Sequence, residues 1–381
     1  MKLLLPILLC LAASTLRGQS TTDAAYEAAT QKGIDYVYNL DFEKADSTFG
    51  SLIGLRPQHP AGHFFLAMVD WWRILIDIDD ERYDERFMDA LDRVVEMCDS
   101  MLEINENDVT AIFFKGGSIG FQGRLQFHRD DYLAAANAGR KALPLVQVAS
   151  QLDPDNYDIL LGTGIYNYYA EVIPQEYPFV KPLMLFVPPG DRRKGLEQLS
   201  LASQKARYAG VEATYFLMQV SYFYERDYAR TLDLARKLHG RFPNNMIFHR
   251  YLGRTLISLG RWDEARATFS EITARANRGQ RGYTASIERE ATYYLGLDEM
   301  QRRHYDAALK HFYRSDELSR QVDTGGASGF MVMANLKIGN IYDAQGKRDL
   351  AVGQYRKVKA LKEWRDSHEQ ADKFLDTPYA E

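Results

Sequence analysis

The sequence predicts an all-α chain, a solenoid of about eight stacked helix hairpins with a C-terminal capping helix. Three observations predict it. The stretch Met246 to Gly279, MIFHRYLGRTLISLGRWDEARATFSEITARANRG, sets apolar and small residues at the spacings of two paired helices. The same spacing recurs from Tyr26, Arg289 and Val332. With 381 residues, 46% of them hydrophobic and 26% charged, the chain can bury an ordinary core and is too apolar to be disordered.

A formal charge of −5, a pI near 6.0 and the lack of any long basic run leave no face for phosphates, so no nucleic-acid partner is expected. Met1 to Ser20 reads as an export signal: Lys2 supplies the positive start and Leu3 to Ala13 an apolar run of 11. That run is too short to cross a bilayer, and no later run approaches the roughly 20 apolar residues of a membrane helix. Small residues permit cleavage after Ser14 or after Ser20, which puts the mature start between 15 and 21. Cys10 follows Leu9, where a lipid-modified signal needs a small residue, so an unlipidated signal is expected. Its removal leaves Cys98 alone, without an intrachain disulfide.

Thr21, Thr22 or Asp23 can cap the first helix. From Tyr26, a first hairpin is marked by Gly33, Tyr36, Ala45, Phe49 and Pro57. Gly and Ala let two helices cross closely, and Phe49 fills the wedge behind them. A second hairpin starts at Pro60 with Ala67, and its second helix carries Val94 and Cys98. A third starts at Val109 with Gly116, Ala142, Val146, Ala149 and Pro154. The fourth, from Tyr157, has Gly164 and then Tyr166, Tyr168 and Tyr169, and leads into VIPQEYPFVKPLMLFVPPGD, whose five prolines forbid one continuous helix. These three long copies occupy 49, 48 and 55 residues against 34 for the first. Their excess is expected as insertions between the paired helices, at 75–90, 124–138 and 173–190.

Later copies are more regular. One begins at Glu212 with Met218, Tyr222, Ala235, Leu238 and Pro243, and the next at Met246 with Leu252, Gly253, Ala265 and Phe269. Two more follow, with Leu295, Gly296, Ala308 and Phe312, then Gly339, Tyr342, Ala351 and Tyr355. The segments GQRGYTASI and DTGGASGFM read as connectors. Trp364, Ala371 and Leu375 share a helical face and form the expected cap. The layout is a signal over 1–20, a solenoid over 21–365, and a cap and tail over 366–381.

Gly, a small residue and an aromatic at fixed spacing, with a closing Pro, resemble the tetratricopeptide repeat. The resemblance implies a right-handed superhelix that binds protein or peptide clients, with no catalytic residues and no cofactor. FKGGSIGFQGR, GTGIYNYYAEVIP and PPGDRRKGLEQL, in that order, are also similar to a set of exported bacterial members with a PPGDRxxG segment. With the signal, this points to the periplasm of a Gram-negative bacterium. The sequence leaves the oligomeric state open.

Constellations of chemical groups mostly have structural readings. Gly116, Gly117, Gly120 and Gly123 lack the Lys and Ser or Thr of a phosphate loop and read as close helix packing. Asp77, Asp79 and Glu81 begin like a calcium loop, but Arg82 and Met88 stand where Gly and Glu are needed. His59 and His63 flank Pro60 without the Glu of a zinc protease helix, so no metal is expected. Cys98 reads as a small buried hydrophobe. Asp191 caps its helix, and Arg192, Arg193 and Lys194 pair with local acids or contact an anion.

Two surfaces are expected to bind. The family's first helices line its concave face, which here gives Phe64, Met68, Trp71, Phe113, Asp158, Leu161, Ile165, Tyr168 and Phe216, followed by basic Arg250 and Arg254. An extended peptide with apolar side chains and carboxylates would suit such a groove. The second surface is the insertion edge, with Tyr177, Phe179, Leu183, Phe186, Arg192 and Arg193. The functional expectation is an exported scaffold for protein or peptide clients, with the assembly of cell-envelope complexes as its setting. The alternative is a carrier or sensor holding a small apolar ligand between the aromatic groove and the Pro-rich insertion.

Overall fold

The computed structural model describes residues 24–178, 181 and 188–380. All regular elements among them are helices, and the chain divides into two compact units, Met1–Glu225 and Arg226–Glu381. The export-signal reading over 1–20 lies outside the described residues, as do Phe179, Leu183 and Phe186.

Unit 1 is a succession of antiparallel helices: α1 (24–38), α2 (Phe42–Leu55), α3 (Pro60–Ile76), α4 (Asp84–Ile104), α5 (Val109–His128), α6 (Tyr132–Leu152), α7 (Ile159–Glu176), α8 (Arg192–Lys205) and α9 (Gly210–Phe223). Unit 2 continues the plan with α10 (Tyr228–Arg241), α11 (Met246–Ser258), α12 (Trp262–Asn277), α13 (Ala285–Gln301), α14 (Tyr305–Val322), α15 (Gly329–Ala344), α16 (Arg348–Ala360) and α17 (Ser367–Asp376). Short polar side chains start many of them. The carboxylates of Asp108, Asp131, Asp191 and Asp227 each accept from a backbone N–H three residues on, at 2.9–3.0 Å. Each such cap satisfies a donor that the first helical turn leaves orphaned.

One device locks the hairpins: a glycine on the first helix faces an aromatic ring on the second. A Cβ on Gly33 would stand 2.5 Å from Phe49, one on Gly253 2.6 Å from Phe269, one on Gly296 2.8 Å from Phe312, and one on Gly339 2.5 Å from Tyr355. All four rings are buried. Val94 and Cys98 fill the corresponding places in the α3–α4 pair and are equally inaccessible. Burial, followed by the nearby Asp99 carboxylate, pushes the Cys98 thiol up to about 12, which leaves it inert.

The long copies differ from the expected insertions. Between α3 and α4 only residues 77–83 are non-helical, and between α5 and α6 only 129–131. The excess went into helix length, with 20 residues in α5 and 21 in each of α4 and α6, against 13 in α11 and 16 in α12. The expected insertion at 124–138 is therefore helix on both sides of a three-residue turn. In the fourth copy α7 ends at Glu176 and α8 begins at Arg192, and most of the Pro-rich residues between them lie outside the described residues. In the cap, Ala371 is buried against Val332, Leu336 and Tyr355, with Leu375 packed beside them. Trp364 does not share that helical face: it precedes α17, is 45% exposed, and sits against Gly329.

Unit 1 curls until its first helix meets its last. Tyr38 of α1 donates to the Glu212 carboxylate of α9 at 2.8 Å, Glu27 pairs with Arg207, and Gln31 donates to the Arg207 carbonyl. Trp72 of α3 bridges the junction, its ring 5.0 Å from that of Tyr38 and 5.8 Å from that of Tyr215.

Candidate functional site

The curl of unit 1 surrounds a cavity of about 920 Å³, lined from α1, α3, α5, α6, α7 and α9. Its volume falls in the range of about 300–1,000 Å³ typical of small-molecule sites. Glycines shape the wall, but not all for one reason. Gly116 and Gly123 pack against α6, where an added Cβ would lie 3.3 Å from Leu145 and 2.8 Å from Ala138. Gly117 would reach the Phe64 ring at 3.6 Å, whereas Gly120 and Gly139 line the cavity with nothing within 4 Å. Close packing thus accounts for half of the α5 glycines, and open space for Gly120.

Aromatic side chains supply most of the remaining surface. Phe64 stands edge-on to Phe114 at 5.4 Å and to Phe121 at 5.9 Å, and Tyr169 stands edge-on to Phe216 at 6.4 Å and to Tyr224 at 5.9 Å. Such edge-to-face pairs hold rings rigidly, so the wall is preformed.

The charged groups are tied down. Arg124 donates to Glu212 at 2.6 Å, and its guanidinium lies 4.4 Å from the Phe216 ring and 4.8 Å from that of Trp71. Glu212 therefore holds α1 through Tyr38 and α5 through Arg124. Burial, reinforced by the Glu212 carboxylate, holds the Tyr38 phenol well above its ordinary value, so it stays a donor. Asp158 accepts from the backbone N–H groups of Tyr208 and Ala209 at 2.7 Å each. Burial raises its pKa above the ordinary carboxylate value despite those bonds. Burial, with Arg124 and Arg129 beside it, lowers His128 to about 4, so it is neutral at pH 7.

Of the residues expected in a groove, Phe64, Met68, Phe113, Asp158, Leu161, Ile165 and Phe216 line this cavity. Trp71 does not, being packed between Phe87 and Phe121, at 5.6 and 5.7 Å, beneath the wall. Tyr168 is also buried, and its hydroxyl donates to Glu225. Arg250 and Arg254 belong to unit 2, where both pair with the buried Glu290. Their charges are neutralised inside the fold and offer no receptor for a client's carboxylates.

The insertion-edge residues also separate. Tyr177 lines the cavity. Arg192 bonds Glu225 through its guanidinium and Glu171 through its backbone N–H at 2.7 Å, so local acids claim it. Arg193 is exposed on the first turn of α8. The PPGDRRKG segment is a helix junction: Tyr166 donates to the Pro188 carbonyl, and a Cβ on Gly195 would stand 2.6 Å from the Tyr168 nitrogen. Only glycine permits α7 and α8 to approach so closely.

Sequence reasoning missed Arg124, Glu212, Tyr38 and Tyr169. Tyr169 is the immediate neighbour of Tyr168, which the sequence assigned to the groove. Among the described residues, no group of three or more His, Cys, Asp or Glu could hold a metal ion, and no helix is long and apolar enough to cross a membrane.

Residues 222–285 match the tetratricopeptide repeat family model. No curated protein matches the chain in sequence. Among solved structures, a human IFIT1 dimer with m7Gppp-AAAA is 11% identical, with 92% of this chain and 84% of that one covered and a TM-score of 0.41. Yeast Tom70 is 12% identical over 90% and 86%, with a TM-score of 0.37. A tetratricopeptide repeat protein from Parabacteroides merdae is 13% identical over 82% and 99%, with a TM-score of 0.33. None of these carries a function to this chain. Residues 222–285 are thus similar to the tetratricopeptide repeat, and the other described residues follow the same paired-helix plan.

Proposed function

We propose that this chain is a non-catalytic binding protein, exported to the cell envelope, whose recognition site is the aromatic cavity of unit 1. Export is supported by Lys2 and the apolar run Leu3 to Ala13. The observation that carries the site is that Gly120 of α5 and Gly139 of α6 both line the cavity with open space where a Cβ would stand. Glycine within a helix is destabilising by about 0.5–1 kcal/mol relative to alanine, so two such positions on one wall preserve volume at the expense of helix stability.

Two occupants suit an apolar cavity: the apolar side chains of a protein or peptide client, or a small apolar ligand. The wall favours the second. A peptide main chain drawn inside would bring N–H and C=O groups that cost about 1–3 kcal/mol each if left unpaired. On this wall Tyr38, Arg124 and Glu212 are already bonded to one another and Asp158 to backbone. A protein client would insert side chains alone and keep its backbone outside.

The test uses an uncharged fluorescent hydrophobe, 1-N-phenylnaphthylamine, titrated into the mature chain. Saturable enhancement with one site is expected. Gly120→Trp should abolish it while leaving helix content and melting temperature intact, because the indole enters open space. A variant that stays folded and binds the probe as well as the parent would rule out this cavity.

A further inference from the structure

Charge narrows what the cavity accepts more sharply than size does. Among the described residues that line it, Arg124 is the only lysine or arginine, against the carboxylates of Asp158, Glu176 and Glu212. Arg124 is engaged by Glu212 at 2.6 Å and flanked by the faces of Phe216 and Trp71. Glu212 is itself fixed by the Tyr38 hydroxyl, so the ion pair is closed on both sides. His128 carries no charge near neutrality. An anionic group brought inside would lose its hydration, meet no available cation, and approach carboxylates instead.

We propose that the cavity binds a small uncharged hydrophobe, of the long-chain alcohol, ester or ketone class, and rejects the carboxylate of the same chain. This rests on the reading that the cavity is the recognition site, and it adds a selection rule: the head group enters with the chain and finds its one possible cation already paired. In a pocket that took only the alkyl chain and left the head group in water, the chain alone would set the affinity, and the two ligands would bind alike. Here the head group decides, because the one guanidinium able to receive a carboxylate already has its partner.

The experiment displaces 1-N-phenylnaphthylamine from the full mature chain with 1-hexadecanol and with hexadecanoate, at about pH 8 where the fatty acid is ionised. Hexadecanol is expected to displace the probe at a concentration at least about tenfold lower. Glu212→Gln, which keeps an acceptor for Tyr38 but releases Arg124, should tighten hexadecanoate binding and narrow that ratio. Equal displacement by the two ligands in the parent protein, or tighter binding of hexadecanoate, overturns the proposal while leaving the cavity as the binding site. Displacement by neither, with the probe bound, also overturns it. If the probe does not bind at all, the cavity reading itself fails. Should Glu212→Gln not fold, the comparison in the parent protein decides alone.

Discussion

Unit 1 and unit 2 are built from the same hairpin but treat its interior differently. In unit 2 the space between helices of successive hairpins is filled: Glu290 of α13 receives both Arg250 and Arg254 of α11, and Asp316 of α14 receives Asn335 of α15, Lys357 of α16 and Arg320 of its own helix. In unit 1 the corresponding space is left open, walled by aromatic rings and glycine. Repeat identity therefore governs how helices pair, while the residues on the inner face decide whether the interior becomes core or cavity.

The largest effect should come from opening what unit 2 has closed. Burial alone would raise the Glu290 pKa, but the two guanidiniums pull it below its usual value. Glu290→Gln leaves two buried cations facing each other and should destabilise the protein by about 3–5 kcal/mol, read from urea unfolding followed in unit 2. A loss below 1 kcal/mol would mean that the inner face of unit 2 is wetter than its burial suggests.

A smaller effect separates the units by pH. In unit 2, His239 and His249 stack at 4.2 Å, with Arg275, Glu271 and Tyr283 around them. Burial, then the neighbouring histidine and Arg275, lower His249 to about 3, so the folded state holds it neutral. The unfolded chain takes up its proton near pH 6.5, so this contribution is complete above that value and is lost as pH falls towards 3. At about pH 5 the loss should reach roughly 2 kcal/mol, at about 1.4 kcal/mol per unit. His249→Phe should flatten that dependence, and an unchanged slope would assign it to other groups.

The smallest effect is a difference in sign. Gly253→Ala drives a methyl against Phe269 and should destabilise by about 1 kcal/mol or more through overpacking. Gly120→Ala meets nothing within 4 Å and should stabilise by about 0.5–1 kcal/mol through helix propensity. Thermal melts of both variants read the contrast directly, and a shared sign would erase the distinction between a packing glycine and a cavity glycine.

That last pair shows why the fold was legible and the cavity was not. Gly33, Gly253, Gly296 and Gly339 each answer an aromatic within the same hairpin, so the signal is local and repeats. Gly116 and Gly120 look alike in sequence, and only the position of α6 separates contact from open space. Arg250 and Arg254 read as available cations because Glu290 lies one repeat away, 36 residues beyond Arg254. The long intervals gave the amount of extra chain, but not whether it would extend α4, α5 and α6 or form loops. Trp364 was assigned to a helical face by spacing, yet the chain turns before α17 begins.

The Glu212 carboxylate also has a kinetic meaning. Its bond to Tyr38 joins residues 174 positions apart. Contacts of such long range form late, because the entropy of closing the intervening chain must be overcome before they contribute. For a chain emerging amino terminus first, α1 is made at the outset but has no final partner until α9 has followed it. Most hairpins of unit 1 can mature in sequence as they appear. The aromatic surfaces of α3 and α5 remain uncovered until the ring closes, which makes this interval the one in which the protein is most exposed to aggregation.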